Sequence, residues 1–366
     1  MQPEEVFVTD GYPEHTYVAL EGGQKEDEIS EGLDQKNKII SVSGPSKSGK
    51  TTLCNRLIGM TSAERMYVTG DAIGKPDDLW LEAYQQVTDD SDTPFFELSH
   101  TRRIERLIAA EIPLVIDDFH YIPRELQPTI AKQMKNAASA GLRIVCLTVP
   151  HRGDDAIRSN HELAGRFFSV TFEFWTDDEL AQIAEIGFSQ VGFPSVTEFN
   201  NLLAREALRS PQIMQTLCLE TCRSQNPDRP LESITPTGEM LPEVVRRAIR
   251  SYDQSSAFQL LRQGPPTRGS ERRLYRLRSG GRADVYECLV KALRENPPFL
   301  DLGLDELRDR VRNLLAGADA KEPNIRSALQ QYKSLFKDQP LPIDWDDEKR
   351  RLTVVDPHFY FYLRNH

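Results

Sequence analysis

Between residues 38 and 175, short runs of consecutive apolar residues alternate with longer stretches whose apolar positions recur every three or four residues. The runs are Lys38–Ser43, Arg65–Thr69, Pro113–Ile116, Arg143–Val149 and Phe167–Phe174. Each is apolar on successive positions, which predicts strands buried on both faces. The intervening segments 51–58, 77 onward, 100–111 and 126–140 predict helices, the last stopping at Gly141. Strands alternating with helices predict a parallel sheet covered on both sides, an αβα sandwich.

After Trp175 the strand runs cease. Thr176 followed three residues later by Glu179 predicts a capped helix start, and 177–225 reads as helical with breaks at Pro194 and Pro211. Residues 284–295, 304–315 and 323–336 predict three further helices. Ile343–Trp345 and Leu352–Val355, flanking the charged turn Asp346–Arg350, predict a β-hairpin. Three helices and a hairpin match a winged-helix pattern. Near the start, Val6–Val8 and Thr16–Val18 predict short strands or an extended arm, and 24–36 a polar helix. The organisation expected is an arm at 1–37, an α/β core at 38–175, a helical lid at 176–255, a linker at 256–282 and a winged-helix domain at 283–366.

Charge modifies this picture locally. The chain of 366 residues carries a net charge of −11, which excludes coating of nucleic acid by bulk charge. Residues 1–38 hold ten acids and three lysines, whereas 262–282 hold seven arginines (262, 268, 272, 273, 276, 278 and 282) and one Glu. The second segment also contains Gly264, two prolines and Gly280-Gly281, so it reads as a linker or loop with a positive face. It either contacts nucleic acid or pairs with the acidic arm or a neighbouring subunit. No run of 18 apolar residues occurs and the start lacks a signal-peptide pattern, so a cytoplasmic protein that does not enter a membrane is expected. Cys54, Cys146 and Cys288 lie in apolar segments, and Cys218 and Cys222 share a helical face with no second Cys or His pair nearby.

The chemistry concentrates in Gly44, Pro45, Ser46, Lys47, Ser48, Gly49, Lys50 and Thr51, which fit G-x-x-x-x-G-K-[ST] between a strand and a helix. Such a loop turns its backbone N–H groups onto the phosphates of a nucleotide. Lys50 then reaches the β- and γ-phosphates and the Thr51 hydroxyl binds Mg²⁺, with Thr52 continuing the helix. Asp117 and Asp118 end the third strand, 67 and 68 residues after Lys50. Ligands of open α/β sheets bind beyond the carboxyl ends of the strands, where the loop also lies. Asp117 is therefore a candidate to accept from a Mg²⁺-bound water or to bind Mg²⁺, and Asp118 for the carboxylate that orients or deprotonates water. His120 either touches that site or is structural. Thr148, ending the next strand, can orient the attacking water or sense the γ-phosphate, and Arg166 or its rival Arg152 can reach a phosphate across a subunit interface. The chain lacks the Asn-Lys-x-Asp pattern that would specify guanine. Arg278–Arg282 imitates a transporter-ATPase signature but follows Asp117 instead of preceding it.

Gly44–Thr51 and Leu114–Asp118, with the helical and winged-helix pattern behind them, resemble AAA+ and STAND-type ATPases. The resemblance is strongest to archaeal origin-recognition initiators and to archaeal and bacterial STAND ATPases, over about residues 38–366. It implies ATP and Mg²⁺ as ligands, ATP hydrolysis, and a switch that couples nucleotide state to homo-oligomerisation. It further implies control of an effector protein on a separate chain, in bacterial or archaeal defence or signalling. The alternative is an ATPase that loads or remodels complexes on DNA through the winged helix and the Arg-rich segment. By the same resemblance, Arg209 is a sensor-2 candidate, although it precedes Pro211 where the family often has Arg after the proline. His358 is a candidate for the winged-helix His that approaches the β-phosphate of ADP; the competing reading is a His packed among Phe359, Tyr360, Phe361 and Tyr362.

Overall fold

The computed structural model describes residues 1–35, 37–58, 66–88, 93–149, 165–226, 229–252, 254–267, 271–296, 300–317, 323–335 and 342–366. The chain divides into two compact units, Tyr17–Glu179 and Met1–Thr16 together with Leu180–His366. Arg65, Arg152 and Arg268 lie outside the described residues, as does the side chain of His120.

In the first unit, β1 (Ile39–Ser43), β2 (Met66–Thr69), β3 (Leu114–Asp117), β4 (Ile144–Thr148) and β5 (Phe167–Thr171) form one parallel sheet in the order β2-β3-β4-β1-β5. Every residue of β1, β3 and β4 is buried, whereas the edge strand β2 alternates buried and half-buried positions. The continuous apolar runs are thus the central strands, which lose water from both faces. Helices Lys50–Ile58, Pro76–Gln85, His100–Ala109 and Gln127–Ala140 connect them. Gly141, at φ 113, ends the last of these in the left-handed conformation expected of a helix stop. Trp80, Leu79, Leu107, Ile130 and Met134 pack with Ile116 and Ile144 into the apolar core of one face. The predicted cap at residue 176 forms: the Glu179 carboxylate accepts from the N–H and hydroxyl of Thr176, and the Thr176 hydroxyl accepts from the Glu179 N–H.

The second unit contains helices Asp177–Val191 (from Leu180 on), Thr197–Glu206, Pro211–Arg223, Leu241–Ala248 and Ser255–Gln263. Ser210 caps the third, with Pro211 at its first position, where no backbone donor is required. Residues 285–354 follow the order helix (Val285–Arg294), β8 (Asp301–Gly303), helix (Leu304–Leu314), helix (Ile325–Leu335), β9 (Ile343–Asp346) and β10 (Arg351–Val354). The strands pair antiparallel in the order β8-β10-β9.

Two expectations are corrected. Val6 and Phe7 belong to no strand: Pro3–Val6 is a helical turn, and Phe7 is buried edge-on against Phe188 at 5.5 Å. A Cβ on Gly187 would stand 2.1 Å from the Phe7 ring, so the missing side chain there makes the seat. Residues 262–282 are not a bare linker. They include the end of helix Ser255–Gln263 and a short hairpin of β6 (Tyr275–Arg276) and β7 (Arg282–Ala283). Arg272 is tied to Asp284 at 2.8 Å and to the carbonyls of Gln263 and Pro265. Beyond these, Pro357–Asn365, for which the sequence offered no element, is a helix, wholly buried from Pro357 to Leu363. All-round apolarity leaves no periodicity from which to read a helix.

Candidate functional site

The loop between β1 and helix Lys50–Ile58 is framed from the opposite side by the residues after β5. Gly44 lies so close to Phe172 that a Cβ would come within 2.5 Å of the Phe172 Cβ and 3.0 Å of its carbonyl oxygen. The Phe172 N–H donates to the Ser43 carbonyl at 2.7 Å, and the Gly44 N–H donates to the Thr148 carbonyl at 3.3 Å. Trp175 donates its indole N–H to the Ser48 carbonyl at 2.8 Å within the buried interior. Lys47 and Gly49 take positive φ values of 60 and 91, the turn that returns the chain to the helix start. Pro45 and Ser46 are half-buried, Lys47 is exposed, and the Ser48 hydroxyl is buried with no hydrogen-bond partner among the described residues.

Lys50 is buried and its ammonium donates to the carbonyls of Gly44 at 2.9 Å and Pro45 at 2.7 Å. The lysine thus lies folded into the concavity of its own loop. Burial pushes its pKa down to about 8 against the opposing pull of Asp117 and Asp118. Thr51 donates its hydroxyl proton to Asp117 Oδ2 at 2.9 Å. Tyr67 donates to the same oxygen at 2.6 Å, and Asp117 Oδ1 accepts the Asp118 N–H at 2.8 Å. Thr52 is half-buried in the helix.

Asp118 has φ 51, in the left-handed region that non-glycine residues seldom adopt. Its carbonyl approaches Gly70 so closely that a Cβ there would stand 2.3 Å from the Asp118 oxygen. Burial, and secondarily the charge of Asp117, push the Asp118 carboxyl up to about 6. Thr148, opposite Ser43 across the β1–β4 ladder, has a buried hydroxyl with no hydrogen-bond partner among the described residues.

The fold therefore brings Gly44–Thr51, Asp117, Asp118 and Thr148 to one edge of the sheet. Arg166 is elsewhere: it precedes β5, and its carbonyl accepts from Ile39 at the start of β1, the end opposite the loop. Arg209 and His358 belong to the other unit. Arg209 is exposed with φ 62 just before the Ser210 cap, and His358 is buried with its ring stacked on Tyr252 at 4.1 Å. Tyr67, Gly70, Phe172 and Trp175 complete the site and carry no motif. Only strand register and chain crossing bring them to it.

The oxygen donors of Thr51 and Asp117 fit a small hard cation such as Mg²⁺, which prefers carboxylate, hydroxyl and phosphate oxygens. Residues 33–152 match the family model of the AAA domain. Among solved structures, a Walker-type ATPase of Pyrococcus abyssi matches with a TM-score of 0.57 at 13% identity, over 98% of this chain and 99% of that one. The Orc1 protein of Aeropyrum pernix, solved in complex with DNA, matches with a TM-score of 0.50 at 12% identity, over 99% and 96%. No curated protein matches the sequence. The chain thus has the α/β P-loop NTPase fold of AAA+ ATPases. Among the described residues, no helix is long and apolar enough to cross a membrane.

Proposed function

We propose that this chain is an ATP-binding and ATP-hydrolysing molecular switch whose nucleotide state governs homo-oligomerisation and the control of a partner protein. The observation that carries this reading is the convergence of Thr51 on Asp117 beneath a glycine-turned loop, with Asp118 beside them. The loop N–H groups would bind phosphate oxygens, and Lys50 would exchange the Gly44 and Pro45 carbonyls for the β- and γ-phosphates. Thr51 and Asp117 would hold Mg²⁺, which supplies charge neutralisation at the phosphates. Asp118, with a pKa near 6, is chiefly carboxylate at neutral pH and suited to accept a proton from water. The Thr148 hydroxyl, buried without a hydrogen-bond partner among the described residues, would report the γ-phosphate. Arg166, at the opposite strand ends, would serve a neighbouring subunit's nucleotide and not its own. Residues 283–366 are read as a winged-helix domain, from their helix and strand order. Arg209 and His358 remain the candidates by which the second unit would read the nucleotide. Defence or signalling, with an effector on a separate chain, is the setting that the STAND resemblance favours.

The test is nucleotide binding and mass measurement with ADP and with a non-hydrolysable ATP analogue. Lys50→Ala should abolish binding; retained binding overturns the site, and an unchanged mass and shape overturn the switch.

A second reading, DNA loading or remodelling, is favoured by one observation. Arg276 and Arg282 face each other across the β6–β7 ladder, both exposed, and neither forms an ion pair among the described residues. Like charges directly opposite on a hairpin are unfavourable unless an anion joins them. DNA-stimulated hydrolysis that weakens with salt, and is lost in Arg276→Glu, would support it.

A further inference from the structure

The first unit contains a positioning chain that no motif announces. β2 is an edge strand, so one side of its backbone faces no neighbour in the sheet. At Tyr67 that side is closed by a side chain: Gln86 accepts the Tyr67 N–H at 2.8 Å and donates its amide to the Tyr67 carbonyl at 2.8 Å. The Gln86 amide reproduces one rung of a ladder. It is itself anchored at the end of helix Pro76–Gln85, donating also to the Glu82 carbonyl at 3.1 Å.

The clasp fixes where the phenol points. Tyr67 stands opposite Val115 in the β2–β3 register, so Asp117 lies two residues further along the partner strand on the same face. Diagonal neighbours of this kind are separated by about 7–8 Å, within reach of an aromatic side chain but not of a short one. The Tyr67 hydroxyl spans the gap and donates to Asp117 Oδ2 at 2.6 Å. Oδ2 also receives the Thr51 proton, while Oδ1 receives the Asp118 N–H. Three donors thereby define the carboxylate. Because a hydroxyl has one proton, Thr51 in donating it to Asp117 turns its lone pairs, the groups a cation needs, away from Asp117.

We infer that Tyr67, clasped by Gln86, is a positioning residue for the divalent-cation site, holding the Asp117 carboxylate so that Thr51 presents its lone pairs to the metal. This inference rests on the nucleotide-site reading above. Tyr67 acts through Asp117 and needs no contact with the nucleotide. Removal of a hydrogen-bond partner behind a metal ligand typically weakens metal affinity about 10–100-fold. Tyr67→Phe preserves ring volume and removes only the donor.

The experiment measures equilibrium binding of a fluorescent ATP analogue to the full chain at fixed nucleotide, titrated with Mg²⁺, and again in EDTA. The Mg²⁺ concentration giving half of the metal-dependent gain should rise about tenfold in Tyr67→Phe, with binding in EDTA unchanged. Gln86→Leu, which keeps the phenol but removes the clasp, should shift the midpoint in the same direction by less. A midpoint within twofold of wild type in Tyr67→Phe overturns the inference, even if the melting temperature falls, because that is the signature of a purely structural tyrosine. Equal loss of binding in EDTA overturns it too, since the residue would then shape the loop and not the cation site. Should Tyr67→Phe fail to fold, an unmoved midpoint in Gln86→Leu is the overturning result. A wild-type protein whose binding ignores Mg²⁺ or is absent is a different failure, that of the nucleotide-site reading itself.

Discussion

Gly70→Ala is a one-carbon perturbation with a calculable consequence for Asp118. A Cβ at Gly70 would lie 2.3 Å from the Asp118 carbonyl oxygen, 3.0 Å from its carbonyl carbon and 3.3 Å from Ile122 Cγ1. The first two are backbone atoms, so no side-chain rotation relieves the clash. The Asp118 carbonyl also accepts the Tyr121 N–H at 2.9 Å, and the residue already sits at φ 51. Overpacking of a core position costs about 1–3 kcal/mol. Loosening the hydrogen bond to Tyr121 adds about 0.5–1.5 kcal/mol. A total of about 2–4 kcal/mol corresponds to a fall of roughly 4–16 °C in the melting of a unit of this size. Gly74→Ala is the control: its Cβ would meet only Asp78 Oδ2 at 3.5 Å, an ordinary contact, and the backbone bond from residue 74 to that carboxylate survives. Thermal melting and nucleotide assays of both variants decide the matter. Gly70→Ala should melt well below Gly74→Ala and lose about tenfold or more in hydrolysis, because general-base geometry contributes about 10²–10⁴. Nucleotide affinity should change little, since the phosphate loop is untouched. If the two variants melt together and hydrolyse alike, the close approach of Gly70 to Asp118 does not exist in solution.

Asp118→Asn should bind ATP normally and hydrolyse it about 10²-fold more slowly, measured by phosphate release. Trp175→Phe leaves the Ser48 carbonyl buried without its donor and should cost about 1–3 kcal/mol, read by denaturant melting of the first unit. Phe7→Ala empties the seat beside Phe188 and Gly187 and should destabilise the second unit by about 3–5 kcal/mol. Thermal unfolding followed with and without nucleotide would assign that loss to the unit that does not hold the phosphate loop.

Much of the first unit was legible because its signals are local. Four-residue to five-residue apolar runs declared the buried strands, Gly141 and the Thr176–Glu179 pair declared a helix end and a helix start, and Gly44–Thr51 declared the phosphate loop. Asp117 and Asp118 were legible because they end one of those runs. β8 was not: three residues beginning with a charged Asp carry too little pattern, and only pairing with β10 makes them a strand. The Pro357–Asn365 helix was hidden for the reverse reason, since burial all round erases the period.

The sequence by itself determined which residues can handle phosphate, because a glycine-turned loop and its lysine are neighbours along the chain. Tertiary structure alone decided what holds them in place. Tyr67 meets Asp117 only through strand register, Trp175 meets Ser48 across 127 residues, and Gly70 meets Asp118 through the packing of two strand ends. Those contacts depend on which strands lie side by side, and that order is set by burial of the whole sheet and not by any local run of residues.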